Sequence, residues 1–154
     1  NIIPNMLKGR RKLQAYRFKG YWRDVGTLAS LHEANMDIAL DRCSMNLYDY
    51  STGRIYTEDT PSIPQYIGEN GSVKTSVVNQ GALILGDIDS CVVSSEAVVE
   101  EGASCTRCVI MQGAIVRKGA VVDNAILAPY SEVSENAKIN IGNDKVILIS
   151  GEAK

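Results

Sequence analysis

Four cysteines, one histidine and a short basic run are the side chains in this sequence most apt for chemistry, and their spacing withholds most of it. Cys105 and Cys108 have the two-residue gap of a zinc knuckle. Cys43 and Cys91 form no second such pair and His32 lies far away, so zinc is not expected. Reduced thiols in a cytoplasmic protein fit this cysteine usage best. His32, on a helix, reads as a surface or packing residue. Lys8, Arg10, Arg11 and Lys12 make a short cluster that reads as a solvated face. With 16 basic and 18 acidic residues the net charge is −2, which calls for neither nucleic acid nor a membrane as partner. No apolar run approaches the ~20 residues of a bilayer span, and no signal-peptide pattern is present. Asp24, taken alone, reads as a turn carboxylate.

The elements that would position these groups are set by a repeat. TSVV (75–78), SCVV (90–93), RCVI (107–110) and NAIL (124–127) recur at intervals of 15, 17 and 17 residues, each interval holding three units of about six. An apolar residue ends every unit: Val78, Ile84, Ile88, Val93, Val99, Cys105, Ile110, Val116, Val122, Leu127, Val133 and Ile139. The residue two places earlier is Ser, Ala, Gly or Cys in all twelve units. Such a unit makes one short strand and one corner. Three of them close a triangular coil of about 18 residues, and coils stack at ~4.8 Å. The aliphatic residue enters the narrow prism; the small one fits where the wall bends. Gly81, Gly102, Gly113, Gly119, Asn124 and Asn136 precede small residues, where a corner demands positive φ. Cys91 and Cys108 occupy equivalent small positions and should stack inside the prism as small hydrophobes. Aromatics are only 6% of the chain, consistent with a core of small and aliphatic side chains. About four coils are expected, from near Val73 to Ile139, and KVILIS (145–150) breaks the rhythm as a strand covering the open end.

Residues 1–41 do not repeat. IIPNML (2–7) reads as a short helix, LQAYRFKGYW (13–22) as a strand or two, and Thr27 as the N-cap of a helix to about Leu40, with Leu28, Leu31 and Ile38 on one side. Pro61 and Pro64 fall in an aperiodic stretch, residues 42–67, that reads as an extended linker. The chain starts at Asn1 without an initiator Met and reads as a piece of a longer protein, its first 41 residues finishing a domain that lies upstream.

GYWRDVGT (20–27) followed by SLHEANMDIAL (30–40) closely resembles the end of the catalytic domain in glucose-1-phosphate adenylyltransferases. IIPNML before it, and NLYDY (46–50) through PQYI (64–67) into hexapeptide repeats after it, follow that family in order and spacing. The resemblance covers nearly the whole chain. It implies a left-handed parallel β-helix at 68–141, a terminal strand or tail at 142–154, a linker at 42–67, and a short α/β remnant of a nucleotidyltransferase domain at 1–41. Handedness comes from the resemblance, since periodicity cannot supply it.

The family makes ADP-glucose and pyrophosphate from ATP and glucose 1-phosphate for glycogen synthesis, by attack of the sugar phosphate on the α-phosphorus. Such chemistry needs Mg²⁺ and carboxylates to hold it. By resemblance Asp24 is one of two metal-binding aspartates, with Tyr21, Trp22, Arg23, Gly26 and Thr27 supporting the substrate loop. The family's Gly-rich nucleotide loop, second metal aspartate and sugar-phosphate lysine have no counterpart here, so no catalytic set is complete, no nucleotide-binding residue is assigned, and this chain alone is expected to be inactive. The part left to it is assembly and regulation: packing on the catalytic domain, contacts in a homo- or hetero-tetramer, and sites for allosteric metabolite effectors. Two other readings are a hexapeptide-repeat acyltransferase, which would want a histidine base within the coils, and another sugar-nucleotide pyrophosphorylase such as a mannose-1-phosphate guanylyltransferase.

Overall fold

A computed structural model describes residues 1–43, 47, 51, 55–57 and 61–154. NLYDY and much of the expected linker therefore lie largely outside the described residues. Helix α1 (Ile2–Lys8) and helix α2 (Leu28–Ala39) precede a stack of short strands. The first coil is β1 (Tyr66–Ile67), β2 (Ser72–Lys74) and β3 (Val77–Val78); the second is β4 (Leu83–Ile84), β5 (Asp87–Asp89) and β6 (Val92–Val93). The third is β7 (Val98–Val99), β8 (Ser104–Thr106) and β9 (Val109–Ile110), and the fourth is β10 (Ile115–Val116), β11 (Val121–Asp123) and β12 (Ala125–Leu127). A fifth holds β13 (Glu132–Val133), β14 (Lys138–Ile139) and β15 (Ile147–Ile149), and β16 (Glu152–Ala153) begins a further turn.

Each strand between the end coils pairs in parallel with the third before and the third after it, giving three faces of six, five and five strands. This is the parallel β-solenoid that the hexad demands. The register puts Ile84, Val99, Val116 and Val133 in one inward column, Ile88, Cys105, Val122 and Ile139 in a second, and Val93, Ile110 and Leu127 in a third. Ten of the twelve unit-ending residues are buried, and Val78 and Ile139, in the outermost coils, pack partly buried against the same core. All six predicted Gly and Asn corners have positive φ, from 49° at Asn124 to 77° at Gly81. Thr75, Ser90, Arg107, Glu96 and Tyr130 adopt it as well. Their types did not announce it, because the stack imposes on them the corner of the coils above and below.

The stack is longer than the expected four coils. KVILIS does not cover the end: β15 pairs with β12 and β16 with β13, so the tail prolongs two faces. The rhythm breaks because residues 140–146 enlarge one corner. That insertion is pinned to the preceding coil, where Asn140 Nδ2 donates to Asn124 O at 2.9 Å, Asn124 Nδ2 to Asn143 O at 2.9 Å and Gly142 N to Asp123 Oδ2 at 3.2 Å. The strand expected within 13–22 does not form; residues 11–19 carry no regular structure and lie exposed. Arg11 N still donates to Met6 O at 2.9 Å behind α1, and among the described residues no strand pairs with the rest of this stretch.

Candidate functional site

Helix α2 is the bridge between the solenoid and the octapeptide. Thr27 caps it as expected: its Oγ1 accepts from Ser30 N at 3.1 Å, and Ser30 Oγ accepts from Thr27 N at 3.0 Å, a reciprocal box that satisfies two end-of-helix donors. The buried face differs from the one expected. His32 and Met36 are 6% exposed while Leu28 is 42% exposed, because the helix lies on the outward side of the β3–β6–β9–β12–β15 face rather than in a core of its own. Met36 clusters there with Val109 and Ile126, and Leu31, Leu40 and Val92 pack around them. His32 Nε2 sits 2.7 Å from Arg107 O, the carbonyl of a positive-φ corner, so Nε2 carries a proton in that contact. His32 is thus a packing residue with a satisfied polar tip.

The other face of α2 holds the octapeptide. Arg23 donates from Nε and Nη2 to Asp37 Oδ2 at 2.9 and 2.6 Å, and from Nη1 to Glu33 Oε2 at 3.1 Å. Tyr21 OH donates to the same Asp37 oxygen at 3.0 Å. Arg23 holds the Asp37 carboxyl below the usual carboxylate range, and burial and Asp37 push the Tyr21 phenol up. Between these anchors Trp22 stands 74% exposed. Asp24 is exposed, and its Oδ1 accepts from Gly26 N at 3.1 Å, a local turn that aims the chain into the Thr27 cap. Asp37 and Glu33 were not singled out from sequence. Their one signal is a four-residue spacing, which puts two carboxylates on one helix face opposite an arginine.

Asp24 is a single carboxylate. Among the described residues no group of three His, Cys, Asp or Glu side chains is placed to hold a metal ion. Asp24 would therefore offer Mg²⁺ one carboxylate, where the ion takes about six oxygen ligands in octahedral geometry. Cys91, Cys105 and Cys108 are buried and free. Cys91 Sγ reaches Asp89 O at 3.3 Å and Cys108 Sγ reaches Thr106 O at 3.1 Å; contact between neighbouring thiols, together with burial, pushes both pKa values far up. They pack as hydrophobes. Lys8, Arg10, Arg11 and Lys12 are exposed. No helix of the described residues is long and apolar enough to cross a membrane.

Residues 62–146 match the family model of the GlmU-like C-terminal hexapeptide, and residues 1–40 match that of a nucleotidyl transferase. Among characterised proteins, the chain is 39% identical over 152 residues to glucose-1-phosphate adenylyltransferases of Bacillus mycoides, Bacillus thuringiensis and Bacillus anthracis. These alignments cover 97% of this chain and 40% of each relative, so the chain spans about two fifths of the length of the relatives it matches, over their C-terminal portion.

Proposed function

We propose, because this chain belongs to the GlmU-like C-terminal hexapeptide family and is homologous along 97% of its length to glucose-1-phosphate adenylyltransferases, that it is the assembly and regulatory part of such an enzyme. The parent would join ATP and glucose 1-phosphate to give ADP-glucose and pyrophosphate, with Mg²⁺ in its site. One observation carries this reading: GYWRDVGT and a hexapeptide solenoid occur in one chain, and a single helix ties them together. A solenoid with no catalytic partner would have no use for an octapeptide presented on its flank.

Asp24 would be one metal ligand among several, with the remaining carboxylate and the phosphate-binding groups supplied from outside residues 1–154. Tetramer contacts, metabolite effectors and a cytoplasmic location belong to the same proposal. The acyltransferase reading is disfavoured by His32, which is 6% exposed and spends Nε2 on Arg107 O instead of facing a cleft.

The test is Mg²⁺-dependent pyrophosphate release by the full-length protein, offering ATP with glucose 1-phosphate against GTP with mannose 1-phosphate. Activity on the ATP pair that falls at least about 100-fold in Asp24→Ala is expected, the scale of losing a ligand that positions charge at the reacting centre. Preference for the GTP pair would move the protein to a sister activity. An active Asp24→Ala enzyme would remove the metal role. The 154-residue chain alone should release no pyrophosphate, since one carboxylate cannot hold metal and nucleotide in reactive geometry.

A further inference from the structure

The octapeptide is exposed along most of its length, so something must hold Asp24 in one place. Its backbone from Tyr21 to Val25 belongs to no strand or helix. Three arginine hydrogen bonds and one from Tyr21 tie it to Asp37 and Glu33 on one face of α2. The same helix is held from its other side by Met36 against Val109 and Ile126 and by His32 on Arg107 O. Asp37 is the residue after Met36, so clasp and dock share one helical turn.

We propose that Arg23 is a positioning residue, clasped by Asp37, through which the docking of α2 on the solenoid sets the position of Asp24. The inference rests on the metal role proposed above for Asp24. Arginine suits this task because its planar fork makes several directed bonds at once, where a lysine makes a point contact. Glu33 is the outer support, with a side chain 60% exposed against 14% for Asp37. Misplacement of a catalytic group by about an ångström is enough to reduce turnover up to ~100-fold.

Trp22 is the only tryptophan of the chain and lies between the two clasp residues, so its fluorescence anisotropy reports directly on the loop. In this chain, Arg23→Gln, Asp37→Asn and the undocking variant Met36→Ala should each lower Trp22 anisotropy, with the far-UV circular dichroism of the solenoid unchanged. In the full-length enzyme, Arg23→Gln and Asp37→Asn should each lower kcat roughly 10-fold or more. KM for ATP should move far less, and the Mg²⁺ concentration for half-maximal rate should rise. The double variant should be little worse than either single one, because both break the same Arg23–Asp37 pair. Arg23→Lys should recover part of the rate.

Unchanged anisotropy in Asp37→Asn would overturn the clasp, and unchanged anisotropy in Met36→Ala would overturn the link to the solenoid. Loss of activity in Arg23→Gln with a normal Asp37→Asn enzyme would mean that Arg23 touches substrate and is not a positioning residue. A wild-type enzyme inactive on every nucleotide and sugar-phosphate pair would sink the functional reading instead, while the anisotropies would still decide the clasp.

Discussion

Asp37 gathers three hydrogen bonds on one oxygen, and its charge is what makes the octapeptide a fixed object. Because Arg23 lowers its pKa in the folded chain, the clasp contributes stability that is fully present above the unfolded value of about 4 and is lost as pH falls through the lower folded one. Trp22 anisotropy should therefore stay level from pH 7 to about 4 and drop only below it. A decline that begins well above pH 4 would mean that the Asp37 carboxylate is not what holds the loop. Solvent reaches this ion pair, with the Arg23 side chain 38% exposed, so added salt should weaken the clasp as well. GYWRDVGT could be picked out in the sequence, but its anchor could not. A carboxylate fourteen residues downstream becomes a partner only once the helix has been laid beside the loop.

Corners decide the element scale. The first repeat interval is 15 residues and not 17 because β4 and β5 are joined by Leu85 and Gly86 alone, whereas four residues join β7 to β8 and β10 to β11. Shortening that corner drives its backbone against the next coil. A Cβ on Gly86 would lie 2.4 Å from Ala103 O and 2.6 Å from Glu100 O, both backbone atoms with little room to yield. Gly86→Ala should destabilise the chain by about 1–3 kcal/mol in urea melts, as overpacking of a tight interior does. A neutral result would mean that the coils can slide apart locally. Small residues at such positions could be read from the sequence, and the irregular interval was visible there too. So was the shortened corner, because Ile84 and Ile88 end their units only four residues apart; what waited for the strands to be paired was that the Gly86 backbone lies against Ala103 and Glu100 of the next coil.

Stacking governs the whole molecule. Ile110 is fully buried in the middle coil, with Val93 below it and Leu127 above, while Ile139 lies in the last coil and is only partly buried. Ile110→Ala should cost about 2–5 kcal/mol and Ile139→Ala clearly less, because an end coil can relax into solvent. Equal losses would mean that the stack unfolds with no gradient from centre to end. The faces are not equivalent either. One is covered by α2, and another carries Arg117 bridging Glu100 at 2.9 Å and Glu132 at 2.7 Å across neighbouring coils, a ladder that lowers the Glu132 pKa.

The sequence by itself determined the solenoid, its inward columns and the Gly and Asn corners, because each hexad carries its own strand, bend and core residue and the pattern repeats every few residues. It also determined the cap of α2, which depends on four consecutive residues. Only the tertiary structure decided that His32 and Met36, not Leu28, face inward; that Arg23 closes on Asp37; that Thr75 and Arg107 take positive φ; and that residues 145–153 prolong the stack. Each of those outcomes depends on a surface made by residues far away in the chain, and that surface exists only after the coils have closed.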